Sequence, residues 1–123
     1  MASASTDDAA LINFTKLTSA ESYQLWNFDM LLLLKTKKLW KIVNGVELLE
    51  EVATDEEKKK DWLHRDAMAQ SFISRTVDKT VKSHILTCET AKEMYDTLKV
   101  IFARDSVQLK QRLLRELHGY TYD

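Results

Sequence analysis

Three histidines and one cysteine are the side chains of this sequence best suited to hold a metal or attack a substrate. Only His84 and Cys88 fall together, four residues apart. A structural zinc needs four ligands converging at fixed distances, and no second pair completes that set. The plainer reading is a surface imidazole and a half-buried thiol. Gly45 and Gly119, the two glycines, lie too far apart to build a phosphate-cradling loop. There is no Gly-x-Ser-x-Gly elbow, and Cys88 carries no signature of a thiol nucleophile. Glu50, Glu51, Asp55, Glu56 and Glu57 cluster in a connection and at a helix start, where negative charge suits the helix dipole. Paired acids for hydrolysis need pKa values split by a pocket, and these read as solvated. The expectation is a protein with no catalytic residues, no cofactor and no metal.

Binding chemistry is the next possibility. Trp26, Trp40 and Trp62 could stack on bases, but each sits on an apolar helical face, which reads as core. Only Trp40, between Lys37-Lys38 and Lys41, partly fits a stacking platform among cations. The run Lys58-Lys59-Lys60 follows Asp55-Glu56-Glu57, so its field is largely cancelled. With 18 basic and 19 acidic residues the chain lacks the excess positive charge of a phosphate-neutralising binder. Asp66 is out of pattern, lying within the apolar stripe of Trp62, Ala69 and Ile73. A carboxylate there must find a donor near the core: an indole N–H of Trp26 or Trp40, a capping backbone amide, or Arg104.

The elements that position these residues follow from composition and period. There is no proline, and hydrophobic residues make up 45% of 123, so long helices with short connections are favoured over a sandwich or barrel. Residues 1–10 read as a disordered arm of small and acidic residues. Leu11 to Leu17 alternates loosely, enough for a short extended segment but not a sheet. Tyr23, Trp26, Met30, Leu33 and Leu34 recur at helical spacing after a cap at Ser19 or Ser22. Leu39-Trp40 and Ile42-Val43 form a short helix stopped by Asn44-Gly45, and 46–53 is a connection. Thr54-Asp55-Glu56-Glu57 reads as a capping box, opening a long helix to about Thr76. Asp78 caps a short helix carrying Val81, Ile85 and Leu86. Thr90-Ala91-Lys92-Glu93 is a second capping box before an amphipathic helix with Ala91, Met94, Tyr95, Leu98, Ile101 and Phe102 inward. A last helix runs from Ser106 to His118. The fold expected is all-α: a compact bundle of five to six helices with a short extended N-terminal segment. Its core is Trp26, Met30, Leu34, Trp40, Trp62, Ile73, Met94, Leu98 and Phe102, with Asp66 anchored beside it. The single cysteine and the absence of a signal peptide or an apolar run long enough to span a bilayer point to a cytoplasmic, membrane-free protein.

Lys16-Leu17, Tyr23-x-x-Trp26-x-x-x-Met30, Leu34, Leu39-Trp40, Val43 and Gly45 together resemble the opening of copia-type retrotransposon Gag proteins. The likeness continues through Trp62 and Asp66-Ala67-x-Ala69. It is clearest at Thr90-Ala91-Lys92-Glu93-Met94-Tyr95-x-x-Leu98 with Phe102, and at Leu113-Leu114-Arg115-Glu116-Leu117, so it covers about residues 14–118. Ser19-Ala20 replaces the family's usual glycine near the start, and the cysteine-histidine knuckle that grips RNA in many members is absent. The resemblance implies the capsid amino-terminal domain over 11–104, with 105–123 as a helix opening a second domain that the chain does not complete.

It further implies a structural self-association module whose partners are itself and other Gag copies, building a virus-like shell, with RNA bound weakly at most by this stretch. The alternative is a domesticated Gag-derived module that binds host proteins or inhibits assembly. A leucine row at Leu113, Leu114 and Leu117, lacking part of its intended partner, is the expected interface.

Overall fold

The computed structural model describes residues 11, 13–103 and 111–115. The expected arm at 1–10, most of the helix expected over Ser106–His118, and with them His118, Leu117 and Arg104, lie outside the described residues.

The described residues form helices joined by turns and short loops, with no strand beyond one isolated bridge. Helix α1 spans Ala20–Thr36, α2 Trp40–Val43, α3 Leu49–Val52, α4 Glu56–Arg75, α5 Lys79–Lys82 and α6 Ala91–Leu98. A π-helical turn over Lys99–Ala103 continues α6. Helix α4 is the spine, in contact with α2, α3 and α6, while α1 packs against α2 and the π turn. The fold class is all-α.

The ends of these helices follow from local chemistry. At the start of α1 the Ser22 hydroxyl accepts from the amides of Thr18 (2.9 Å) and Ser19 (3.2 Å), occupying donors that the first turn leaves orphaned. Its C-terminus is a Schellman motif: the Leu39 amide reaches back to the Leu34 carbonyl (2.7 Å) and the Lys38 amide to that of Lys35 (3.1 Å). The turn requires the left-handed region, and Lys38 adopts it with φ 62°. Leu34 and Leu39, the pair that closes such a motif, are both fully buried. Gly45 ends α2 with φ 86°, where a side chain would be strained. The cap of α4 is Asp55 and not the expected Thr54: Asp55 is extended and its carboxylate accepts from the Lys58 amide at 3.2 Å. The Asp55 amide is already held by the Val52 carbonyl, so the helix opens one residue later. That bond also reflects α3, a helical turn within the 46–53 stretch, which periodicity reads only as a connection. Its four residues are too few to show a period. The remaining two caps match the reading, Asp78 on the Val81 amide (2.9 Å) and Thr90 on the Glu93 amide (3.1 Å).

The core is formed by Leu17, Tyr23, Trp26, Met30, Leu34, Leu39, Val43, Ala69, Phe72, Ile73, Val77, Val81, Ile85, Ala91, Tyr95, Leu98 and Phe102. Trp62 is buried at its edge. Two residues expected in the core, Trp40 and Met94, are only half-buried at its margin. At the start of α2 the interior place goes to Leu39, the chain neighbour of Trp40. In α6 and the turn after it the expected inward residues Ala91, Tyr95, Leu98 and Phe102 are buried, and Met94 lies at the edge of that face. Leu86, expected on the short helix capped by Asp78, lies beyond it and is 72% exposed, since α5 ends at Lys82. The N-terminal segment is tacked on by a single parallel bridge between Leu17 and Val77: Leu17 donates to the Thr76 carbonyl (2.8 Å) and accepts from the Asp78 amide (3.1 Å). Thr76 is a knot. Its hydroxyl accepts from the Trp26 indole N–H at 2.9 Å and donates back to the Phe72 carbonyl, joining α1, the end of α4 and the extended segment.

Candidate functional site

Asp66 is 5% exposed and accepts two hydrogen bonds, from the Ala91 amide at 3.0 Å and from Gln70 Nε2 at 2.7 Å. Of the donors the sequence offered, the backbone amide at a helix start is the one it uses. The Trp26 indole serves Thr76 instead, and Arg104 lies outside the described residues. Gln70 also donates to the Glu89 carbonyl (3.1 Å), so Asp66 and Gln70 together staple α4 to the first turn of α6. Thr90 and Glu93 complete that turn, the Glu93 carboxylate accepting from the Glu89 amide at 3.0 Å. The carboxylate therefore replaces water at an orphan helix donor. It is satisfied and closed off, which suits a structural tie and not a reaction centre.

An open groove of about 570 Å³ is lined by Lys35, Lys38, Trp40, Lys41, Glu47, Asp61 and Arg65. Three elements build it: the end of α1, the short α2 and the outer face of α4. Trp40 stands edge-on to Tyr95 with ring centroids 5.5 Å apart, which orients the indole without burying it. Arg65 is held from both sides, by Glu47 (2.8 and 3.3 Å) and by Asp61 (2.8 Å). Its hydrogen bond lowers the Glu47 pKa and raises that of Arg65. The guanidinium is thereby committed, and Lys35, Lys38 and Lys41 supply the remaining positive charge. The groove can hold a small anion beside an indole, yet two carboxylates share it, which weakens its field for a polyanion.

The other candidates do not converge. His64 and His84 are exposed on separate elements, and Cys88 is half-buried with its sulfur 3.7 Å from the Thr97 hydroxyl. Among the described residues no three metal-ligating side chains come together. Trp62 donates its indole N–H to the Glu47 carbonyl (3.0 Å), so it anchors the loop after α2 and offers no stacking face. Leu113 and Leu114, on a helical stretch at 111–115, are 51% and 47% exposed. Sequence reasoning missed Thr76. Its signal, a threonine at a helix end able to bond back to a carbonyl three or four residues earlier, is visible only with its indole partner in place.

No helix among the described residues is long and apolar enough to cross a membrane. No curated protein and no solved structure matches the chain. A family model does: the gag-polypeptide of LTR copia-type, over residues 30–123. The matched stretch begins at Met30, later than the likeness from residue 14 read off the motifs, and runs on past residue 118. It includes the groove, the Asp66 staple and the leucines at 113 and 114. On that match, which covers well over half of its length, the chain belongs to the copia-type LTR retrotransposon Gag family.

Proposed function

We propose that this chain is a capsid-type amino-terminal Gag domain that associates with other copies of itself in the cytoplasm to build a virus-like shell, without catalysis or cofactor. Family membership over residues 30–123 is the observation that carries the reading. The form of the domain supports it. Helices tied by the Asp66 staple and the Thr76 knot make a rigid body, and a rigid body can repeat one weak contact around a ring. Each contact need not be strong, because identical contacts add through multivalency. Leu113 and Leu114 stand exposed where a neighbouring copy could cover them. RNA enters only weakly in this proposal, since the groove cations are shared with Glu47 and Asp61.

Sedimentation velocity over a wide concentration range tests the proposal, with electron microscopy of the most concentrated samples. The expected outcome is reversible, concentration-dependent association that shifts with salt. A strictly monomeric protein up to roughly 1 mM, the weak end of specific affinities, would sink it and favour a domesticated binding module.

A further inference from the structure

Helix α1 is apolar on two opposite faces. Tyr23, Trp26, Met30 and Leu34 point into the core and are almost wholly buried. On the far side Leu25, Phe28 and Leu32 are 63%, 61% and 51% exposed. They are spaced three and four residues apart, so at 100° per residue they form one stripe over two turns. The exposed face of α4, by contrast, carries Glu57, Lys60, Asp61, His64 and Ser71 with one large apolar residue, Leu63. A surface helix needs no second apolar stripe, and three large side chains this exposed leave on the order of 300 Å² of apolar surface, the size at which a patch is commonly functional. Exposed charges sit at the stripe's two ends. Glu21 lies seven residues before Phe28 and Lys35 seven residues after it, and neither forms an ion pair among the described residues.

That charge order selects the occupant. We infer that the Leu25–Phe28–Leu32 face of α1 is a two-fold contact with a second copy of this chain, the two α1 helices running antiparallel and crossing at Phe28. A two-fold axis there places Phe28 on its own counterpart and Leu25 within one residue of the level of Leu32 of the second copy, an offset of about 1.5 Å. It also sets Glu21 against Lys35 of the second copy, twice over. Parallel packing would oppose Glu21 to Glu21 and Lys35 to Lys35, so the charges specify direction as well as partner. The patch is well below the roughly 800 Å² per partner of a stable interface. The contact is therefore weak and reversible alone, which suits a repeated lattice contact. The inference rests on the self-association reading and assigns it a surface.

Sedimentation equilibrium on the full chain tests it, with circular dichroism melting as the folding control. Phe28→Glu and, independently, Leu25→Glu are expected to keep the wild-type melting temperature and weaken association about tenfold or more, as truncating a central anchor does. Glu21→Lys and Lys35→Glu should each weaken it several-fold, and the double variant should restore it. If wild type associates but both glutamate variants at the stripe associate equally well, the surface is wrong and self-association stands. Charge swaps without effect, with the stripe variants impaired, would overturn the antiparallel arrangement. A wild type that never associates removes the underlying reading itself.

Discussion

Two buried side chains, Asp66 and Trp26, tie separate elements of this domain together. Asp66 holds the Ala91 amide and Gln70, so Asp66→Ala leaves a helix-start N–H buried without an acceptor. A hydrogen bond to a charged group contributes about 1.5–3 kcal/mol, and an orphaned partner costs a similar amount. Asp66→Asn keeps an acceptor for Ala91 and loses only the second bond, so it should be the milder of the two. Urea unfolding of both variants checks the order, and equal midpoints would count against a structural role. Trp26 sits at the centre of the core, fully buried, bonded to Thr76 and 6.0 Å from the Tyr23 ring. Trp26→Ala removes about 3–5 kcal/mol from a total of about 5–15, enough to leave the domain unfolded or nearly so at 37 °C. A melting temperature within a few degrees of wild type would contradict that.

At the scale of elements, the turn after α1 stores strain that can be removed. Lys38 occupies the left-handed region of a Schellman motif, where glycine is the usual residue. The steric cost to an L-residue is about 1–2 kcal/mol, partly offset by the greater freedom glycine has when unfolded. Lys38→Gly is therefore expected to stabilise by about 0.5–1 kcal/mol in chemical denaturation. A loss of stability instead would mean that the lysine side chain itself braces the groove. The α6–α1 contact has its own signature in alkali. Burial pushes the Tyr95 hydroxyl, which donates to Asn27, up to about 12 from an ordinary 10.0, helped by Tyr23 and Asp96. The folded state thus keeps a proton that the unfolded chain releases. The resulting stability is whole below pH 10 and drains away as pH rises toward 12. Tyr95→Phe lacks this titration, so its stability should fall less steeply than wild type across that window. Parallel curves would show that Tyr95 ionises freely in the fold.

Taken whole, the molecule is nearly neutral, with a formal charge of −1. The basic groove beside Trp40 is partly self-neutralised by the Arg65 clamp. Binding to single-stranded RNA should accordingly be weak and vanish by physiological salt, since few phosphates are neutralised and few counterions released. Fluorescence anisotropy with a short unstructured RNA measures this directly. Tight binding with a steep salt slope would shift the functional weight from the α1 stripe to the Trp40 groove. Lys41→Glu would then be expected to abolish it.

Fold class and most helix positions were already decided by composition and period. The lack of proline, the helical spacing from Tyr23 to Leu34, and the caps at Asp78 and Thr90 are local properties that need no partner to be legible. Asp66 was legible for the same reason: a charge on an apolar stripe implies a buried donor, although not which one. What local pattern could not settle was facing. Trp40 and Leu39 are equally apolar neighbours, and only packing sends Leu39 inward and leaves Trp40 half-buried, as it leaves Met94 at the rim of a face whose Tyr95 is buried as expected. The run Met30-Leu31-Leu32-Leu33-Leu34 reads simply as core along the chain. Only the folded structure separates Met30 and Leu34, which are buried, from Leu32, which is exposed, because one helix can lay just one side against its neighbours. The free second side of α1 and the convergence of Lys35, Lys41 and Arg65 on one groove are tertiary outcomes. They bring together residues that sequence distance keeps apart.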